Sequence, residues 1–380
     1  MDAARDASAG DAARTADAGP AEAPWRTDPA PRVGADVLPI GVYHTIYEVE
    51  EVPAIAAIGF NAVMPYADGC GDWRILGNAT TPGYLPTAAA HGVRFIAHAE
   101  PAALNWQPDA GCQPATRPAP ESVVDRFAPI AGDPNVLAWY LFDEPDIWSV
   151  PPAEVRRAYD AIHALDPRPV VLVFSTRTTD ATPWAGTMDV FAVDSYPLLP
   201  TGSHDVQLAA YRGTVETTVR TGAGADAVWM VLQGWADAAH AVPTTSESRY
   251  MLYTALLGGV RGVLWYLYRP ARRSWFETVL GPVVRELHGY ARAIAAGSVG
   301  PVTASDASVQ ASLYRDPGSS AALLVAVNHS ATATTAALTL PIDASRAQGL
   351  HGAADTAITA RRLDVALGPW AVATFELDPR

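Results

Sequence analysis

Lysine is missing from this 380-residue chain; all 26 basic residues are arginines. Its absence removes whole chemistries, because a Schiff-base aldolase, a pyridoxal-phosphate enzyme and a Walker-type phosphate loop each need a lysine amine. Positive charge is scarce overall. The formal net charge is −14 and the pI about 5.0, so the basic footprint of a nucleic-acid binder is lacking and no DNA or RNA partner is expected. No apolar run is long enough to span a bilayer, so no membrane span is expected. A signal-peptide core is also missing. Cysteine is down to Cys70 and Cys112. With no CxxC pair or Cys/His cluster around them, a zinc site is not expected, and no cofactor is. An exported protein would pair the two and a cytosolic one would leave them reduced. The expectation is a Cys70–Cys112 disulfide in an extracellular or periplasmic protein.

What is present is apolar and ordered in blocks. Hydrophobic residues make up 49% of the chain, enough for one large domain and a smaller one. Residues 1–31 are Ala, Asp, Gly and Pro with almost no large apolar side chain. Such a stretch cannot bury enough surface to order itself. It is expected to be a flexible tether, of the kind that follows a removed export signal or anchor. From Val37, short apolar runs alternate with amphipathic stretches. Strands are expected at 38–43, 60–66, 93–99, 137–143, 169–175, 189–196, 227–233 and 262–268. Helices are expected between them, among others at 51–59, 121–132, 152–166, 247–259 and 274–296. Near-continuous apolar strands indicate a parallel sheet covered by helices. Eight strand–helix units over residues 32–299 point to a (β/α)₈ (TIM) barrel, which takes about 250 residues. A doubly wound sheet is the alternative, but "GVYHTIYE" follows the first strand where a glycine fingerprint would stand. Residues 300–380 change to short alternating segments between Gly, Pro, Asp and Ser, which read as a small antiparallel β-sandwich.

Chemistry in such a barrel sits at the C-terminal strand ends. Those ends carry acids and aromatics: Tyr43 and His44, Tyr66 and Asp68, His98 and Glu100, Asp143, Glu144 and Asp146, Asp194 and Tyr196, Gln233 and Trp235, then Trp265, Tyr266 and Tyr268. Ionised carboxyls at the rim of an apolar core are costly unless paired or used. Aromatic faces beside carboxyl, amide and imidazole groups suit sugar recognition. Glycosidic cleavage needs two carboxyls, one held protonated. Glu144 follows "WYLFD", surroundings that can raise its pKa by desolvation. His98, on an apolar strand, has a plainer reading as a hydrogen-bonded core histidine. Asp143 could likewise serve only to hold a neighbouring strand end or pair with Arg177.

"LFDEPD" at the fourth strand resembles the acid/base strand of the large clan of (β/α)₈ glycoside hydrolases, whose motif there is Asn-Glu-Pro. "DVFAVDSYP" and "GVLWYLY" are similar to the clan's sixth and eighth strands. The resemblance covers residues 37–297. It implies that Glu144 is the acid/base glutamate and that Tyr196 and Trp265 face the substrate. Two positions depart from it. Asp143 replaces the asparagine, and Gln233 stands where the clan carries its nucleophilic glutamate. An amide cannot attack an anomeric carbon, so the two-step retaining mechanism does not carry over unchanged. Three readings follow. The first is a glycoside hydrolase with Glu144 as acid and a second carboxylate; Asp194 is favoured because it shares a strand face with Tyr196, and Glu100 and Asp68 come next. The second is a barrel that binds glycan without cleaving it. The third is a metal-dependent hydrolase built on His44, His98, Glu100 and Asp194. The expected substrate contacts are His44, Tyr66, His98, Glu100, Asp143, Tyr196, Gln233, Trp235 and Trp265, with carbohydrate as the partner.

Overall fold

The computed structural model describes residues 38–45, 49–66, 83–99 and 127–379. Eight parallel strands close into a barrel in chain order. They are β1 (Ile40–Thr45), β2 (Ala62–Tyr66), β3 (Arg94–His98), β4 (Val136–Asp143), β5 (Val170–Ser175), β6 (Val190–Ser195), β7 (Ala227–Gln233) and β8 (Val263–Tyr268). All eight expected strands are present, within a few residues of the expected bounds. The outer layer holds α1 (Val52–Ile58), α2 (Tyr84–Ala90), α3 (Pro152–Leu165), α4 (His204–Thr221), α5 (Thr245–Gly258) and α6 (Gly281–Ala295). Of the helix expected at 121–132, the described part is a short 3₁₀ turn, Ala128–Ile130.

Each strand is apolar on both faces because each face is buried. The lumen is filled by Tyr43, Met64, Ile96, Tyr140, Val173, Trp229, Val231 and Leu264. The opposite faces meet the helices through Val42, Val63, Phe95, Trp139, Leu172, Val193, Met230 and Trp265. Local signals fix the helix ends. Thr244 and Glu247 form a reciprocal capping box at the start of α5, and Gly259 ends it at φ 108°, a left-handed turn open to glycine. Asp166, the residue that caps the C-terminal end of α3, is buried. It accepts hydrogen bonds from the Gly132 and Arg168 amides.

The second domain adds β9 (Ser298–Pro301), β10 (Thr303–Ala304), β11 (Val309–Arg315), β12 (Ala322–Asn328), β13 (Thr334–Thr339), β14 (Ala344–Leu350), β15 (Thr356–Ala357), β16 (Arg362–Leu367) and β17 (Val372–Pro379). A six-stranded sheet, β15-β14-β17-β12-β11-β9, faces a three-stranded one, β10-β13-β16. Strand β12 is buried along its whole length. Its Leu324 and Ala326 face the sandwich interior, while Leu323, Val325 and Val327 join the core of the barrel helices. That alternation binds the two domains into one body. Arg249 of α5 reinforces the contact. It grips Glu286 of α6 through two hydrogen bonds of 2.8 and 2.7 Å and reaches the Val372 carbonyl. Burial alone would raise the Glu286 carboxyl, but the Arg249 guanidinium overrides it and holds it below its ordinary range. Among the described residues no helix is long and apolar enough to cross a membrane.

Candidate active site

The site begins with an irregularity in β4. Pairing with β5 runs Tyr140 to Val171 and then Phe142 to Leu172, so Leu141 is an extra residue. Strict alternation from the inward Tyr140 would send Asp143 out to the helices. The slip places Leu141 and Phe142 together in the outer core and turns Asp143 into the lumen. A one-residue slip exchanges the faces of everything after it. Inside, Asp143 accepts the Tyr66 hydroxyl at 2.9 Å and a short bond from the Tyr140 hydroxyl. Tyr43 in turn donates to Tyr140 at 3.1 Å.

Glu144 follows in a left-handed conformation, φ 50°, which costs a non-glycine residue about 1–2 kcal/mol. Its amide donates to the Val173 carbonyl at 2.7 Å, and its carbonyl accepts from Ile147 and Trp148. Burial, then the charges of Asp143 and Asp146, push its carboxyl up to about 7. Asp146 plays a structural part. It accepts Ser175 Oγ at 2.6 Å and Thr178 Oγ1 at 2.7 Å, tying the turn to the end of β5.

Asp194 enters from β6 on the same face as Val190 and Ala192, both lumen residues. The residue as a whole is only partly buried, but its Oδ1 is sealed from solvent and has no hydrogen-bond partner among the described residues. Burial first, then the charges of Asp143 and Glu144, raise its carboxyl well above the ordinary range, against a hydrogen bond from Tyr196. Aromatic rings surround the acids. Tyr266 is the hub, with ring centres 5.4 Å from Tyr43, 5.6 Å from Tyr66, 6.0 Å from Tyr196 and 5.7 Å from Trp235. His98 stacks on Tyr66 at 5.7 Å and 7°. Burial lowers His98 to about 4, so it is a neutral group at physiological pH.

The structure therefore brings together Glu144, Asp194, Asp143, Tyr66, His98, Tyr196 and Trp235. Three expected contacts present no free group to a substrate. His44 points outward, bonded through Nδ1 to the Tyr84 hydroxyl of α2 at 2.8 Å and packed on Tyr268. Trp265 is also in the helix-facing layer, edge-on to Phe60; its neighbour Tyr266 holds the lumen position. Gln233 lies on the lumen face but is fully buried, with its amide consumed by the backbone. Its Oε1 accepts from the Leu198 amide at 2.9 Å, and its Nε2 donates to the carbonyls of Leu198 and Ala241 at 2.9 and 2.7 Å. It clamps the loops after β6 and β7 together. With His44 outside the lumen, the metal set of the third reading is not assembled. Asp68, Glu100, Cys70 and Cys112 lie outside the described residues. Sequence reasoning counts Tyr43 and Tyr266 at the strand ends but not among the substrate contacts, and it misses Tyr140 and also His240, whose ring lies 4.6 Å from that of Trp235. The available signal is the alternation phase of each strand, counted from its first buried residue.

No protein-family model matches the chain, and no curated protein sequence matches it. Its fold does match solved structures. A GH30 endoxylanase from Clostridium papyrosolvens C71 superposes with a TM-score of 0.54 at 15% identity, covering 90% of this chain and 97% of the xylanase. An α-amylase from Geobacillus thermoleovorans gives 0.56 at 11% identity, covering 91% and 99%. A GH27 β-L-arabinopyranosidase from Geobacillus stearothermophilus gives 0.54 at 12%, covering 91% and 98%. The chain shares its overall fold with these glycoside hydrolases.

Proposed function

We propose that the protein hydrolyses a glycosidic bond in an oligo- or polysaccharide, with Glu144 as the proton donor and Asp194 as the second carboxyl. The observation that carries this is the Glu144 carboxyl, placed at the end of β4 and raised to about 7. A general acid works best with a pKa near the operating pH. Fold likeness to xylanases, amylases and an arabinopyranosidase supports the substrate class by analogy. The Glu144 charge is one of those that raise Asp194, after burial and the charge of Asp143, so the ionisation of one bears on the other. The singly protonated pair holds one acid and one carboxylate, the two forms that the reaction needs at once. Glu144 is the less enclosed of the two, at the rim where a leaving oxygen and solvent protons can both reach it. Asp194 lies deeper, placed to activate water or to oppose the positive charge that develops at the anomeric carbon. Gln233 takes no part in the chemistry.

The test is Glu144→Gln, which keeps shape and hydrogen bonding but cannot donate a carboxylic proton. Across a panel of polysaccharides and aryl glycosides, kcat is expected to fall by about 10²–10⁴ with KM little changed. Activated aryl glycosides, which need less acid assistance, should lose less. If wild type cleaves no glycan in the panel yet binds oligosaccharide, the protein is a glycan-binding barrel and the assignment fails.

A further inference from the structure

We propose that the loop after β7 carries a further sugar subsite, a platform made by the rings of Trp235 and His240, and that Asp237 is the positioning residue that sets it. The platform takes a unit beyond the pair whose bond is cleaved, so the substrate is a chain of sugars and not a single glycoside. This rests on the glycan-hydrolase reading above and adds chain length to it.

The rings form a path from the lumen to the rim. Tyr266 lies among the lumen tyrosines, 5.4 Å from Tyr43 and 5.6 Å from Tyr66. Trp235 is the next ring, 5.7 Å from Tyr266 and 5.8 Å from Tyr196. His240 is the last, 4.6 Å from Trp235 and edge-on to Tyr196 at 5.9 Å. Both outer rings are partly exposed. Ring faces cover the apolar C–H face of a sugar, and a polar group at a ring edge fixes its hydroxyls.

Asp237 places the outermost ring. Its Oδ1 accepts the Ala239 and His240 amides at 2.7 Å each and faces His240 Nδ1 at 2.9 Å. The backbone closes the same turn, the Asp237 amide donating to the His240 carbonyl at 3.1 Å. These bonds fold the loop back so that the imidazole lies against Trp235. Burial alone would raise the Asp237 carboxyl, but the bonds from His240 and the Ala239 amide hold it below its ordinary range. An ionised carboxylate only accepts, so Nδ1 carries the proton, and the neutral imidazole presents Nε2 as an acceptor. The rest of the loop is pinned as well. Arg272 donates to the Ala236 carbonyl at 2.8 Å, Gln233 to that of Ala241 at 2.7 Å and Trp275 Nε1 to that of Pro243 at 3.1 Å. The Asp237 side chain is 42% exposed, so its bonds hold no core together; what they fix is the direction of the rings. A platform held in its binding arrangement avoids the ordering cost of a mobile loop.

The experiment measures hydrolysis of xylo-, cello- and maltooligosaccharides of two to five units by the full chain. In a series that wild type cleaves, kcat/KM should rise about tenfold or more from the shortest substrate to the longest. His240→Ala should cut that gain about fivefold or more, with the loss carried by KM rather than kcat. Asp237→Ala should do the same. Asp237→Asn, which still offers an oxygen to all three donors, should restore most of the gain. A loop that served folding alone would not separate long chains from short ones, and thermal unfolding confirms folded protein. A wild type that gains nothing from chain length overturns the inference and leaves the hydrolase reading standing. So does a gain that survives His240→Ala, or Asp237→Ala and Asp237→Asn variants that behave alike. Should wild type cleave none of these chains, the hydrolase reading loses its support in these series. The same ratio, taken from calorimetric affinities, then decides the platform alone: a gain with length that His240→Ala removes upholds it, and no such gain overturns it.

Discussion

Gln233 stands at the strand end where a nucleophilic glutamate would be looked for, and replacing it with one should damage the protein rather than activate it. The side chain is fully buried, and its Nε2 donates to the carbonyls of Leu198 and Ala241. Gln233→Glu keeps the volume, so no cavity term arises. It removes both donors and turns a carboxyl oxygen toward two carbonyl oxygens. The Leu198 carbonyl keeps the Ala241 amide as a donor, so the Ala241 carbonyl is the acceptor that is stranded; that costs about 1–3 kcal/mol, and the variant should lose about 2 kcal/mol. At roughly 2 °C per kcal/mol, that is a Tm lower by roughly 4 °C. The loss should depend on pH. The introduced carboxyl would have a folded-state pKa raised by burial, and its protonated form can donate to one carbonyl. The folded variant then binds more protons than the unfolded one, so the deficit is smallest below about 4.3 and grows as pH rises through the folded pKa. Thermal unfolding from about pH 4 to 8 brackets that range and measures the effect. A variant as stable as wild type at neutral pH that also cleaves glycosides faster would refute the clamp and make position 233 part of the catalytic machinery.

Asp143→Asn removes a charge that raises the Glu144 carboxyl, so the alkaline limb of the rate profile, expected near about 7 in wild type, should move to lower pH; a limb that stays put would separate the two groups. Trp235→Ala should raise KM severalfold, because the ring lines the lumen against Tyr196 and Tyr266. Trp265→Ala should instead cost about 3–5 kcal/mol of stability, measured by denaturant unfolding, since the ring fills the helix-facing core. Glu286→Ala strands Arg249 in the domain contact and should cost about 3–5 kcal/mol. The Glu286 carboxyl is held below its ordinary value when folded. Its contribution is therefore complete at neutral pH and fades as pH falls below about 4.3, so wild type and variant should converge in acid.

The barrel was legible because its cause is local. A parallel strand buried on both faces must be apolar at nearly every position, and runs such as "PVVLVFS" and "AVWMVLQ" have few other uses. The second domain announced itself by a change of period, from helical stretches to alternating short strands. Its attachment to the barrel did not. Leu323, Val325 and Val327 of β12 read as one face of an ordinary sandwich strand, and only packing shows that this face covers α5 and α6.

The site was legible in its membership and not in its directions. Acids and aromatics at strand ends could be counted, but which side each faces depends on the phase of its strand, and phase is lost wherever pairing slips. At β8 the resemblance to the clan favours Trp265 over Tyr266, and the structure puts the tyrosine inside, joined to Leu267 by a cis peptide bond. At β4 the slip works the other way. Were β4 to alternate strictly through Leu141 and Phe142, Asp143 would face the helices and the Tyr140 hydroxyl would lose its acceptor. Deleting one residue there is therefore the sharpest test of how this site is built. Removing Leu141 should leave Tyr140, Phe142 and Asp143 opposite Val171, Leu172 and Val173 as they are now, so that the strand alternates simply with Phe142 still among the helices and Asp143 still in the lumen. A folded deletion variant should therefore keep its affinity for oligosaccharide. One that folds and no longer binds oligosaccharide would show that the extra residue itself, and not only the facing of Asp143, builds the sugar site.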